Sequence, residues 1–388
     1  MSSNVPAEFR ALYAELDAAL TAFDRALDVP TENYPVIFAV ELLPANGNRG
    51  TDLLKPTNLQ STRLWLDRLQ QIGARGITVG IKYPLLTPDF PHATEYLEYF
   101  KTVAREIRQR GMKMDVEVGV VFPPPFSALD VNYQAMTFEQ FKASNKQMVA
   151  TIVKEIQPDY LNLGAEPDTE ARITGWRVLN TPQGYTDLIN YTLKDLNRGN
   201  TKIGAGIGTW GNLDFVKSYV ANTSLDFIAL HIYPVTGNAL PTAVAAADLA
   251  HQAGKRVILD EAWLYKMSAR EPPVSIAGNA EIFRRDAYGF WAPLDQKFLA
   301  LIAKLARAKK IEYVSVFWAQ YLYAYLEYDL KFQTMPYNDV MAQLNTIATP
   351  NVLAGKLSAT GEFYQRLSKS AAQPPGTPGA FLPSGSYR

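Results

Sequence analysis

Apolar residues recur along this chain with two alternating spacings. Short, almost unbroken apolar runs lie near 36–43, 76–83, 113–122, 159–166, 202–209, 226–233, 256–263 and 312–319. Between most of them apolar positions return every three or four residues, at 59–73, 94–111, 137–156, 183–198, 212–221, 240–253 and 295–309. A run that is apolar on both faces suits a parallel strand buried between helices, and a 3.6-residue recurrence marks a helix with one buried face. Eight strand–helix units in succession predict an α/β fold, a single (β/α)8 barrel, with a doubly wound open sheet as the competitor. Helices expected near 337–347 and 360–369 complete the ring. Ahead of the barrel, Phe9, Leu12, Leu16, Leu20, Phe23 and Leu27 predict an amphipathic helix packed on its outside or bottom. The expected organisation is an N-terminal helix (1–32), a barrel (33–372) and a Pro/Gly/Ser-rich tail (373–388), disordered or lying along the surface.

The segments that follow the strands are unequal in length. Long ones come after the first (44–58), third (123–136), fourth (167–182), seventh (264–294) and eighth (320–336). Barrel sites are built from these C-terminal loops, so a walled groove is expected there. The residues at the strand ends are Glu41, then Lys82 and Tyr83, Phe122, Glu166, Thr209 and Trp210, His231 and Tyr233, Glu261 and Trp263, and finally Trp318 and Gln320. Carboxylates, flat rings and hydrogen-bonding groups together suit a substrate with many hydroxyls and apolar faces, a sugar. Two of these residues are acids closing buried apolar runs, Glu166 in Pro158–Pro167 and Glu261 in Arg256–Trp263. A buried acid costs free energy unless it has a partner or a task. Strands four and seven lie nearly opposite in an eight-stranded barrel, so their acids can converge on one bond. Glycoside hydrolysis needs such a pair: one carboxyl gives a proton to the leaving oxygen, and the other attacks or activates water.

Composition narrows the partners. Lys+Arg and Asp+Glu are both 38, and this zero balance gives no sign of a nucleic-acid partner. The absence of cysteine removes disulfides, thiolate metal sites and a Cys nucleophile. With 3 His and no ligand spacing such as H-E-x-x-H, a catalytic metal is not expected. No apolar run reaches membrane-spanning length. The first residues lack the basic-then-apolar pattern of a signal peptide, which leaves the compartment open, secretion with the leader removed being slightly favoured over the cytoplasm.

Glu-Pro closing strand four (Glu166), His-x-Tyr closing strand six (His231, Tyr233), Glu261 closing strand seven and Trp318 closing strand eight resemble the large barrel clan of retaining glycoside hydrolases. The resemblance spans about residues 33–370. It implies that Glu166 is the general acid/base and Glu261 the nucleophile, with no cofactor. Tyr233 would then hydrogen-bond Glu261, His231 would lie beside Glu166 or the sugar, and Trp318 would floor the sugar being cleaved. The chain departs from the clan at Ala165, where an Asn normally holds the sugar 2-hydroxyl, and no strand-end Arg pairs with the nucleophile, Lys82 being the stand-in. A β-linked glycan is the expected substrate, cut internally in a polysaccharide such as β-glucan, β-mannan or β-galactan. Substrate contacts are expected from His231, Tyr233, Trp318, Trp263, Trp210, Glu41, Lys82 and Tyr83, with Tyr321, Tyr323 and Tyr325 as outer rings.

Blander readings compete. Alternation sets Asp260 opposite Glu261, and Asp115 and Glu117 fall too early in strand three for the mouth, so a polar barrel interior or an ion pair is expected for them. Trp65 and Trp176 are expected to pack. A carbohydrate-binding barrel without turnover and a transglycosylase share the same residues. Gly206-Ile-Gly208-Thr-Trp-Gly211 matches a dinucleotide-binding pattern, which would make the chain an oxidoreductase. It falls in the fifth unit instead of the first, so glycines admitting bulky neighbours are the preferred explanation.

Overall fold

The computed structural model describes residues 5–27, 34–271 and 276–370. Eight parallel strands close into a barrel in sequence order: β1 (Ile37–Glu41), β2 (Gly76–Tyr83), β3 (Lys113–Val120), β4 (Tyr160–Asn162), β5 (Lys202–Gly208), β6 (Phe227–Ile232), β7 (Arg256–Ala262) and β8 (Tyr313–Val316). The open-sheet alternative is excluded because β8 pairs back onto β1, Ile37 opposite Tyr313. The expected tail and the joint at 28–33 lie outside the described residues. No described helix is long and apolar enough to cross a membrane.

The barrel interior is layered. Its N-terminal end is filled by the rings of Tyr160, Phe227 and Tyr313 together with Ala39, Ala229 and Ile258. Tyr160 lies 5.5 Å from Tyr313 and 5.9 Å from Phe227 between ring centres. Missing side chains admit these rings, since a Cβ on Gly204 would strike Phe227 and one on Gly76 would strike Tyr313. Above the rings the bore turns polar, with Thr78, Asp115, Asn162 and Asp260 fully buried. Asn162 Nδ2 donates to Asp260 Oδ2 at 2.5 Å, and Thr78 Oγ1 to Asp115 Oδ2 at 3.4 Å. Buried polar groups persist only when partnered, so this layer gives the bore a fixed hydrogen-bond order.

One irregularity matters for the site. The register of β7 slips against both neighbours, between Leu230 and His231 on one side and between Leu259 and Ala262 on the other. Such a bulge breaks the two-residue side-chain period. Asp260 and Glu261 therefore both reach His231, and the opposite-sides expectation for Asp260 does not hold.

Helix α1 (Arg10–Ala26) buries Leu16, Leu20 and Phe23 and lies along the flank of the barrel. The ring around the barrel comprises α2 (Pro56–Gln71), α3 (Ala93–Gln109), α4 (Phe138–Thr151), α5 (Pro167–Thr174), α6 (Pro182–Leu193), α7 (Asp214–Asn222), α8 (Ala239–Gln252), α9 (Ile276–Arg285), α10 (Ala292–Ala308), α11 (Tyr337–Ala354) and α12 (Ala359–Ser370). A capping box at Thr137 and Gln140 starts α4, and a π-turn at Ile152–Ile156 ends it. The segments expected as long loops after β4 and β7 contain α5 and α9. Helix α1 docks on α10: Tyr13 stacks on Trp291 at 5.7 Å, and Lys304 Nζ meets Asp24 Oδ1 at 2.9 Å.

Candidate active site

The strand ends open on a cavity of about 1230 Å³. Glu166 and Glu261 both line it, by different local routes. After β4 ends at Asn162 the chain turns at Gly164, whose φ of 145° is open to glycine and where a Cβ would strike the Tyr185 hydroxyl. The turn delivers Glu166 just ahead of Pro167, the first residue of α5. Glu261 sits within β7 and is placed by the bulge. Between the two acids lies His231, almost wholly buried, with Nδ1 2.9 Å from Glu166 Oε1 and 3.2 Å from Glu261 Oε2. Its Nε2 faces Asp260 Oδ1 at 3.5 Å. The Tyr233 hydroxyl donates to Glu261 Oε2.

The opposite wall comes from the first three strands. Lys82 Nζ is 3.2 Å from Glu117 Oε1, with both side chains nearly dry. Glu41 is fully buried behind this pair and accepts from Asn46 Nδ2 at 2.6 Å. Buried acids therefore outnumber their two cations, Lys82 and His231, and cannot all be ionised. Burial and the Glu117 charge push Glu41 up to about 8. Burial pushes Glu170 up to about 8 as well, opposed by the hydroxyl of Tyr185. Glu261 is raised well above the carboxylate range by burial and by Glu117, with His231 opposing. Glu117 goes the other way: burial works against it, but Lys82 and His231 bring it down to about 2. His231 is raised despite its burial, because Glu261 and Asp260 favour the imidazolium.

The remaining expected site residues divide. Lys82, Tyr233, Trp210, Trp318, Phe122 and Gln320 line the cavity. Trp210 is half open, and its Nε1 donates to Asp168 Oδ2 at 3.0 Å. Glu41 and His231 support the wall from behind without lining it. Tyr83 is a correction: Lys82 takes the inward position, so its neighbour points outward, hydrogen-bonds Ser144 at 2.8 Å and meets Phe141 edge-on. Trp263 is another correction. The chain beyond β8 folds over it, so it is fully buried and stacked on Tyr321 with centres 5.5 Å apart. Tyr321, Tyr323 and Tyr325 likewise do not line the cavity; the Tyr325 hydroxyl donates to Asp295 Oδ2 at 2.8 Å. The glycine run takes its bland reading, because a Cβ on Gly206 would strike Ala229 O and one on Gly208 would strike the Trp210 indole.

Sequence reasoning passed over Asp168, Glu170 and Tyr265, all in the lining. Glu117 forms an ion pair with Lys82 and Trp65 packs edge-on against Tyr323, as expected, yet both also line the cavity, so Glu117 does reach the mouth. Glu117 carried a legible signal: it is two residues before Gly119, where a Cβ would lie 3.5 Å from Lys82 Nζ, so β3 leaves room for the lysine to reach across. Trp65 extends the cavity. Leu64 and Trp65 of α2 face Met341, Asn345, Thr349 and Leu353 of α11 across a trough leading away from the acids. Arg68 bridges it, donating to Val352 O at 2.7 Å.

Among the described residues, Glu117, His231 and Glu261 have ligand atoms within 4.8 Å of one another, a spacing a metal could use. A metal fits poorly there, because the Lys82 ammonium already bonds Glu117 and His231 Nδ1 is committed to two carboxylates. The trio is an ion-pair network.

No known family's sequence profile matches the chain, and no curated protein matches it. Solved structures do match in fold. The GH5_18 glycoside hydrolase variant of Bifidobacterium longum subsp. longum, in complex with Manβ1-4GlcNAc, superposes with a TM-score of 0.54 at 14% identity, covering 86% of this chain and 78% of its own. GH5_18 from Streptomyces cattleya, in complex with GlcNAc, has a TM-score of 0.53 at 14% identity, covering 89% and 82%. These likenesses show the fold, a (β/α)8 barrel.

Proposed function

We propose that this chain is a retaining glycoside hydrolase acting on a β-linked glycan within an oligo- or polysaccharide. The observation that carries the reading is the shared contact of His231 Nδ1 with Glu166 and Glu261. Those two distances keep the paired oxygens no more than about 6 Å apart, short of the roughly 6.5–9.5 Å that leaves room for a water between the carboxyls of inverting enzymes. In the first step Glu261 attacks the anomeric carbon while Glu166 gives its proton to the leaving oxygen. Glu166, now ionised, then takes a proton from water as the water releases the sugar from Glu261. Tyr233 and His231 hold the Glu261 carboxyl, while Trp318 and Trp210 offer flat faces to the rings.

The test compares wild type, Glu166→Ala and Glu261→Ala on β-glucans, β-mannans, β-galactans and aryl glycosides, with and without azide. Manβ1-4GlcNAc and N-acetylglucosaminides join the panel because proteins of the same fold hold them. The expected result is cleavage by wild type, loss of at least about 10³-fold in either variant on unactivated substrates, and azide rescue of Glu261→Ala as the inverted glycosyl azide. Rescue giving a retained azide, or full activity in Glu261→Ala, would remove this reading.

A further inference from the structure

Glu117 is a buried acid that the double-displacement scheme leaves unused, and its carboxylate approaches that of Glu261 within 4.8 Å. Its Oε2 is buried with no hydrogen-bond partner, and the two carboxylates share the same dry wall. Two carboxylates this near each other in a dry wall cannot both stay ionised, so one proton is kept between them. Lys82 fixes which acid is the acceptor, because its ammonium bonds Glu117 Oε1 at 3.2 Å and has no hydrogen bond to Glu261. Gly80 leaves room for the lysine, since a Cβ there would lie 3.1 Å from Lys82 Cε.

We propose that Glu117 is a positioning residue for Glu261: its carboxylate, anchored by Lys82, accepts the proton of the Glu261 carboxyl, orients that group in the cavity wall and sets the pH at which it becomes an ionised nucleophile. The inference rests on reading Glu261 as the nucleophile, but the proton-sharing pair itself does not. The pair behaves as a dyad, with a first ionisation that belongs to Glu117 and a second that leaves from Glu261. Other groups face Glu261 from every side: Glu41 from β1, Lys82 from β2, Glu166 after β4, His231 and Tyr233 from β6, and Asp260 and Tyr265 from β7 and its loop. Burial, Glu117 and Glu41 favour the protonated form, and His231 opposes them. Lys82 faces both members of the dyad and favours their ionisation.

The test uses full-length protein labelled with carboxyl-13C glutamate and followed by NMR across pH, the Glu261 signal being identified by its loss in Glu261→Gln. Glu117→Gln should move the Glu261 midpoint down, because an amide donor replaces a neighbouring negative charge. A shift of one pH unit gives about tenfold more ionised Glu261 at a fixed pH below the midpoint. Lys82→Met should move it up, because the cation is gone. On any substrate wild type cleaves, the acidic limb of kcat/KM should follow in the same two directions. A merely structural role predicts loss of signal or stability without opposed shifts. An unchanged midpoint in Glu117→Gln, or the same direction in both variants, overturns the proposal; if Glu117→Gln does not fold, the Lys82→Met shift alone decides. Azide rescue reads the nucleophile separately, so an opposed pair of shifts without rescue would keep the dyad and remove the hydrolase.

Discussion

Lys266 shows how much one buried charge can hold. Its ammonium is fully buried, 2.5 Å from Asp295 and 3.2 Å from Asp286. Replacing it with Met leaves two acids without their cation, a change that costs about 3–5 kcal/mol. The loss depends on pH. Burial already pushes Asp286 up to about 7 in the folded chain, well above its unfolded value. A raised carboxyl favours folding fully below the unfolded pKa and loses that contribution as pH rises through about 7. Lys266→Met is therefore expected to fall furthest below wild type at pH 8 and to recover part of the difference at pH 5, read as urea midpoints. At Gly164 the constraint is steric: Gly164→Ala places a methyl on the Tyr185 hydroxyl at a strained φ and should lower Tm by several degrees while disturbing Glu166.

Between α1 and α10 the contacts are of two kinds, and their substitutions should separate. Leu20 is fully buried, so Leu20→Ala is expected to cost about 2–5 kcal/mol in chemical denaturation. Lys304 pairs with a mostly exposed Asp24, and Lys304→Ala should cost less than about 1 kcal/mol. Elements of this kind were legible in the sequence because their signal is regular: the apolar face of α1 and the nearly continuous apolar run that opens β2 follow from spacing alone. The site was legible at Glu166, His231, Tyr233, Glu261 and Trp318, each a polar or aromatic residue closing an apolar run. It was illegible where geometry departs from period. The slip in β7, which spacing cannot announce, turns Glu261 into the bore beside Asp260, which follows Ile258 inward by alternation. Of Lys82 and Tyr83 only one can face the bore, and the choice depends on Glu117 across the β2–β3 pair. Trp263 and the tyrosines after β8 satisfy one another in packing, which a list of aromatic residues does not distinguish from an open platform.

Taken whole, the cavity reaches beyond the acids into the trough between α2 and α11. Under the proposed function, an enzyme that cleaved only at a chain end in a closed pocket would have no use for this extension. Trp65→Ala is expected to raise KM for long oligosaccharides by about tenfold, the equivalent of one lost ring contact, while leaving short aryl glycosides unchanged. Initial rates on a graded series of chain lengths check it, and an equal effect at every length would place the trough outside the binding path.

Helix α12 touches the start of the barrel. The Tyr364 hydroxyl donates to Ala39 O at 3.2 Å, across 325 residues of chain, and Ser368 Oγ donates to Ile72 O at 2.6 Å. The last described helix thus seals the first strand and the turn before the second. A ribosome working at about 5–20 residues per second needs roughly a quarter of a minute to a minute to travel that interval. Throughout it, β1 emerges with one edge bare, lacking β8 beside it and α12 above it. The nascent sheet has to be kept from other chains for that time, so the yield of folded protein in a cell is governed by how the waiting edge is shielded as well as by the stability of the finished ring.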